Sequence, residues 1–445
     1  MNPLLLEAKE LANTNPDLAM RLCNDVLNDH FDDDEGQMAL FMSGYIMLEA
    51  ERYGLAFNIF QRCVQLRPDQ SEIWSNMGMC LEEFDPDRAI LMFKTALDLS
   101  PENAHAWANL GLMHLLIGDP IAGLSFSQKA LEHDPGLRAA QHNKGLCQLM
   151  LRDFRNGWKS YHDTLGVKHR EARDYGVPDW DGVDNGKIVV YGEQGVGDEV
   201  MFASCIPDLL EAGYDIVIDC DKRLKSLFKN SFDCPVYGTR FDTETPLVDE
   251  HELDYQCAIG QLPYFMYRDK EQDFPGTPYL NPDPDQMLMY RALFDSFKGD
   301  KIGLAWNGGL SNTGQKNRSF TLDDMLIESG NTYISLDYKE PDLDKLNEYG
   351  VKSYPKVTGK GQDIGELAAL ISQLDCVITC CTTVVYIAGA LGIPCYVMVP
   401  ERCGYRYHIE GGFPWFKSVQ LFRQAGDGWS TVCKQIKNAR IKDAT

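Results

Sequence analysis

The segment Gly192-Glu193-Gln194-Gly195-Val196-Gly197-Asp198 holds the residue types best suited to chemistry in this chain. It follows an apolar run, Ile188-Val189-Val190-Tyr191, and leads into a helix-like stretch over 199–207. A strand, a glycine-rich turn and a helix start together can hold an anion. Glycines let the backbone approach it, and free N–H groups at the helix end point toward it. Gly195, Val196 and Gly197 would form that loop, and Asp198 at its mouth would act as general base toward a docked hydroxyl. The same residues also fit a plainer role, with glycines for strand-to-helix packing and Asp198 as an N-cap.

Composition narrows what surrounds this segment. A chain of 445 residues exceeds one ordinary core, and about three domains are expected. The net charge of −24 argues against nucleic acid as the main partner, because phosphate contacts over a long surface need a basic face. A small anion remains compatible, since local N–H groups and a few cations suffice. No apolar run reaches the length of a membrane span, and the N-terminal residues lack the pattern of a signal peptide. Fourteen cysteines without regular spacing fit reduced thiols and a cytoplasmic location. Neither they nor the histidines have zinc-ligand spacing, and no metal site is expected.

The elements that must position the candidate site come after a repetitive region. Gly44, Gly78, Gly111 and Gly145 recur in phase with Pro68, Pro101 and Pro135. Trp74 and Trp107 join them, as do Ala56, Ala89 and Ala122, and Phe60, Phe93 and Phe126. This is the pattern of tetratricopeptide repeats: paired helices, glycine at the close crossing, proline ending the second helix. A degenerate unit is expected over 3–30 and a final pair over 140–162. Such an array presents a concave face for a protein or peptide, or joins copies of the chain. Boundaries are set at 1–165 for the repeats and 166–186 for a linker.

From residue 187 the period changes. Strands are expected at 188–191, 216–220 and 236–237, then at 301–306, 332–336, 375–379 and 395–399, with helices between them. That alternation predicts two α/β units of parallel sheet, over 187–295 and 296–445. In this fold class ligands lie beyond the carboxyl ends of the strands.

Cys376-Val-Ile-Thr-Cys-Cys-Thr-Thr-Val-Val-Tyr-Ile-Ala-Gly-Ala-Leu-Gly-Ile-Pro394 resembles the donor-binding motif of tetratricopeptide proteins fused to a heptosyltransferase-like, GT-B glycosyltransferase domain. Protein O-linked N-acetylglucosamine transferase is a more distant likeness. Further matching pieces are Gly157-Trp158, Trp180-Asp181-Gly182, Glu193–Asp198, Pro278-Tyr279-Leu280, Gly303–Trp306, Asn317-Arg318-Ser319, Leu421–Gln424 and Gly428-Trp429, covering most of the chain.

The resemblance implies two Rossmann-like domains and a nucleotide-diphosphate sugar in the cleft between them, as substrate, with no cofactor. It places the diphosphate against Thr382, Thr383 and Val384, whose N–H groups open a helix. Lys316, Arg318 and Ser319 lie on the loop after Trp306, where the cations would neutralise the departing diphosphate. Arg318 is favoured, because its fork matches phosphate geometry. Asp198 matches the base of heptosyltransferases, with Glu193 as the alternative.

Two positions depart from the pattern. Cys381 stands where the family has aspartate, and Tyr386 where it has histidine. Neither supplies a carboxylate or an imidazole. Two readings follow: a metal-independent, inverting glycosyltransferase acting on a saccharide or protein hydroxyl, or a degenerate scaffold that binds proteins and a nucleotide. A dehydrogenase is disfavoured, since the turn reads Gly-x-x-Gly-x-Gly, the reverse of the dinucleotide order.

Overall fold

The computed structural model describes residues 2–30, 33–82, 84–167, 170–243, 245–309, 318–325, 330–339, 342–359, 362–426 and 428–443. The chain divides into two compact units, Met1–Cys147 and Gln148–Thr445.

The first unit is built of antiparallel helices: α1 (Pro3–Leu11), α2 (Pro16–Asp29), α3 (Asp34–Glu49), α4 (Tyr53–Leu66), α5 (Ser71–Met79), α6 (Pro86–Leu99), α7 (Ala104–Leu116), α8 (Pro120–His133) and the start of α9 (Arg138–Met150). Several begin with an Asx–Pro pair. Asn15, Asp85 and Asp119 cap the third residue's N–H, while the proline fills a position whose own N–H would have no partner. The recurrent Trp and Pro are explained by one contact: the indoles of Trp74 and Trp107 donate to the carbonyls of Pro68 and Pro101, both at 2.8 Å. Gly44 and Gly78 are required by close crossings, since a Cβ there would lie 2.6 Å from the rings of Phe60 and Phe93. Burying each ring stabilises the unit by about 1.5–3 kcal/mol.

The third crossing differs from the sequence reading. Gly111 faces Gly123 and Ser127, not Ala122 and Phe126. The two glycine backbones meet, and Phe126 turns aside to stack on Trp107 at 5.7 Å. The in-phase spacing of Phe126 therefore reflects a shift of one residue rather than the same role.

The second unit takes up α10 (Phe154–His162), which the sequence reading assigned to the repeats. Its Trp158 and Tyr161 are buried against Phe202, and Trp158 also against Trp415. The unit holds two wholly parallel sheets. The first joins β1 (Lys187–Tyr191), β2 (Asp215–Asp219), β3 (Val236–Tyr237) and β4 (Tyr255–Ala258) in the order β3-β2-β1-β4. The second joins β5 (Lys301–Ala305), β6 (Thr332–Ser335), β7 (Val351–Lys352), β8 (Cys376–Cys380), β9 (Cys395–Val399) and β10 (Val419–Arg423) in the order β10-β9-β8-β5-β6-β7. Read from the other edge, this is the doubly wound order, with its reversal between β5 and β8. β1, β5, β8 and β9 are almost wholly buried, which is why they read as continuous apolar runs.

Strands β4, β7 and β10 and the closing helix Trp429–Asp443 were not expected from the sequence. The linker is not free chain. Its Asp179 bridges Gln256 beside β4, and the Trp180 N–H donates to the Gln256 carbonyl at 2.8 Å. The helix expected from 199 is interrupted, with α11 (Val196–Phe202) passing through a tight turn at Ala203–Cys205 into a helix over Ile206–Glu211. Pro207 explains the break. All fourteen cysteines are free thiols, and all but Cys234 are buried. No described helix is long and apolar enough to cross a membrane.

Candidate functional site

The strand-order reversal between β5 and β8 is where a ligand of this fold class sits, and it gathers the main candidate residues. Beyond β8 the chain turns through Cys381 and Thr382 into the helix Thr383–Ala390. Thr382 has extended N-cap geometry, but its hydroxyl makes no cap hydrogen bond and lies 3.2 Å from that of Thr379. The first turn carries no acidic side chain. Its N–H groups, those of Thr383 and Val384 included, thus face an end of the helix that no side chain of its own has answered.

Arg318 reaches this point from the loop after β5. Its Nη1 donates to the Cys381 carbonyl at 3.0 Å. Gly308 is needed beneath it, since a Cβ there would lie 2.5 Å from that of Arg318. The Ser319 hydroxyl accepts from the Gly308 N–H at 3.0 Å, so Ser319 braces the loop that carries Arg318. Lys316 lies outside the described residues. What Cys381 contributes is its backbone carbonyl, because its side chain is buried and burial raises its thiol well above the ordinary value.

At the ends of β5 and β6 is a cavity of about 250 Å³ lined by Trp306, Asn307, Phe320, Asp337, Lys339 and neighbours. Asp337 is buried and accepts from the N–H groups of Trp306 (3.1 Å), Asn307 (2.8 Å) and Lys339 (3.1 Å). It fixes the cavity wall.

The Gly192–Asp198 turn has a different character from the one expected. The start of α11 already carries Asp198 and Glu199, which answer the positive end of its dipole. Glu199 is buried, pairs with Arg240 and accepts from the Asp221 N–H at 2.9 Å. Gly197 lies against the Thr383 helix, where a Cβ would come 3.0 Å from the Tyr386 ring and 3.1 Å from the Thr383 hydroxyl. Of the anion loop expected at Gly195, Val196 and Gly197, the Gly197 side is thus taken up by packing. Gly197 lets α11 close onto the helix that faces it. Tyr386 is the buried ring on which Gly197 rests, and burial holds its phenol well above its ordinary value.

The alternative base, Glu193, is corrected likewise. It is fully buried, and both of its oxygens are taken by Arg170, at 3.1 and 3.0 Å. Arg170 is itself buried and lies over the Tyr161 ring at 3.7 Å. A carboxylate held in this way cannot reach an acceptor.

Asp198 is partly exposed and ion-paired with Arg406, a residue the sequence reading missed. Arg406 sits on the turn Tyr405–Tyr407 beyond β9, and its Nη2 also donates to Gln194 at 3.2 Å. The backbone around it is fixed by Arg423, which donates to the carbonyls of Tyr407 (2.6 Å), His408 (2.9 Å) and Gly411 (3.2 Å). His408 adds a bond from Nδ1 to the Leu149 carbonyl at 2.8 Å. The one available signal was a cation between two tyrosines just past a buried strand. The motif Pro278-Tyr279-Leu280 also finds its role here: Tyr279 donates from its N–H to the Ala390 carbonyl (2.9 Å) and from its hydroxyl to that of Val200, tying the Thr383 helix to α11.

No family model matches the chain. Protein FlbA of Caulobacter vibrioides is 27% identical over 406 residues, spanning 84% of this chain and 67% of that protein. Among solved structures, TTC0263, a thermophilic TPR protein of Thermus thermophilus, is 18% identical with a TM-score of 0.33, covering 36% of this chain and 88% of its own. MamA is 21% identical with a TM-score of 0.31, over 37% of this chain and 94% of its own.

Proposed function

We propose that this chain is a GT-B-type glycosyltransferase that moves a sugar from a nucleotide-diphosphate donor to a hydroxyl acceptor, with its repeats holding a protein partner. The observation that carries the reading is Arg318 on the Cys381 carbonyl, beside the uncapped start of the Thr383 helix at the strand-order reversal. A diphosphate placed there receives helix N–H groups and a guanidinium fork. The cavity lined by Trp306 and Phe320, at the ends of β5 and β6, supports the reading as room for the nucleoside. In the step proposed, the acceptor oxygen bonds to the anomeric carbon and the carbon–oxygen bond to phosphate breaks. The electron pair leaves on the diphosphate, and the acceptor proton passes to Asp198. Charge on the leaving group is met by Arg318 and the helix end, so the step is written without a metal.

The scaffold reading is favoured by Tyr386, which fills the family's histidine position with a packed ring. The test is to incubate the full chain with UDP-, GDP-, ADP- and CDP-linked sugars and follow nucleotide release by mass spectrometry. Turnover that falls at least ~100-fold in Asp198→Asn, at unchanged thermal stability, is the expected result for a general base. Nucleotide binding without turnover would favour the scaffold.

A further inference from the structure

Three features converge where α11 meets the Thr383 helix. Arg406 projects from a turn whose backbone is held by Arg423 and His408, and its guanidinium lies 4.5 Å over the Tyr405 ring. One nitrogen of its guanidinium, Nη2, faces both Asp198 and Gln194, whereas the buried Nε makes no hydrogen bond among the described residues. The Asp198 oxygen nearest Arg406 is buried and also lacks a well-directed hydrogen bond, so the pair is close in charge but incomplete in direction. Finally, Gly197, the neighbour of Asp198, lies against Thr383, the first residue of the uncapped helix. The carboxylate, the guanidinium and the helix start thus share one small space.

We infer that Arg406 is a donor-responsive latch: its guanidinium holds the Asp198 carboxylate in the empty site and passes to the donor's phosphate oxygens when the donor binds. The inference rests on the glycosyltransferase reading. A diphosphate carries more charge than a carboxylate and offers oxygens on both sides of a planar fork, so it outcompetes Asp198 once seated on the helix end. Asp198 is then uncovered as base only in the loaded site, and binding is ordered, donor before acceptor. Arg406 acts as a positioning residue toward the base and as a binding residue toward the donor.

Competition has a sign that a merely structural ion pair does not. Removing the carboxylate should strengthen phosphate binding, because the guanidinium no longer has to leave a charged partner. The experiment titrates UDP, GDP, ADP, CDP and inorganic pyrophosphate into the full chain by calorimetry, comparing wild type with Asp198→Asn, Arg406→Gln, Arg406→Lys and Arg318→Ala. Charge-assisted hydrogen bonds of this kind set the scale at roughly tenfold to a hundredfold. Asp198→Asn is expected to tighten binding of whichever probe the wild type takes by roughly tenfold, Arg406→Gln to weaken it by at least as much, and Arg406→Lys to fall between. Thermal unfolding checks that each variant is folded, and Arg406→Lys keeps the charge should Arg406→Gln fail to fold. Binding lost in Arg318→Ala but unchanged or weakened in Asp198→Asn would overturn the latch and leave the glycosyltransferase reading standing. A folded wild type that binds no probe would overturn both.

Discussion

At the scale of residues, two acids only five positions apart have opposite fates. Glu193 points into the core of the unit, where Arg170 takes both of its oxygens and Tyr161 stacks on the guanidinium. Asp198 stays partly exposed and is paired with Arg406. Glu193→Gln is therefore expected to act through stability. Removing one member of a buried pair costs about 3–5 kcal/mol, and chemical denaturation should show the loss directly. A stable Glu193→Gln protein would contradict this assignment. The resemblance ranks Asp198 above Glu193, but the residues themselves cannot, because the partner that buries Glu193 is 23 residues away and the one that faces Asp198 is more than 200. For the same reason Arg406 was not legible: a lone arginine in a loop carries no motif until the fold delivers its carboxylate.

At the scale of elements, the most legible parts were those with strong local periodicity. β1, β5 and β9 are visible because burial on both faces makes each of them an apolar run. β3 also fell where expected, but β4, β7 and β10 are short or partly exposed strands whose apolar content is thin, and they escaped notice. The repeat phase was right at Gly44 and Gly78 and misleading at Gly111, where small residues let two backbones meet and a one-residue shift preserves an accidental Phe126. The turn that bears Arg406 makes its own prediction. His408 is buried against Phe154, and burial lowers its imidazole from 6.5 to about 4. The unfolded chain then binds more protons than the folded one between those values. Stability from this residue is complete above about pH 6.5 and is lost as pH falls through about 4, by roughly 3 kcal/mol in all. Midpoints of thermal unfolding measured between pH 4 and 7 should fall less steeply in His408→Asn than in wild type. An identical slope would show that His408 does not titrate with folding.

At the scale of the whole molecule, a chain of net charge −24 is a poor host for an anion unless the site is built locally. The second unit supplies that local field with the end of one helix, Arg318 and Arg406, while the acids Glu193 and Glu199 are neutralised by Arg170 and Arg240 within it. The first unit is an array of paired antiparallel helices, the kind of surface suited to a macromolecular partner. The most direct test of this account is a calorimetric titration of nucleoside diphosphates into the full chain and into Arg318→Ala. The account predicts that at least one is bound by wild type and that affinity falls by roughly tenfold or more in the variant, the value of a lost charge-assisted fork. Binding that is indifferent to Arg318, or a folded wild type that takes none of them, would contradict a phosphate site at the start of the Thr383 helix.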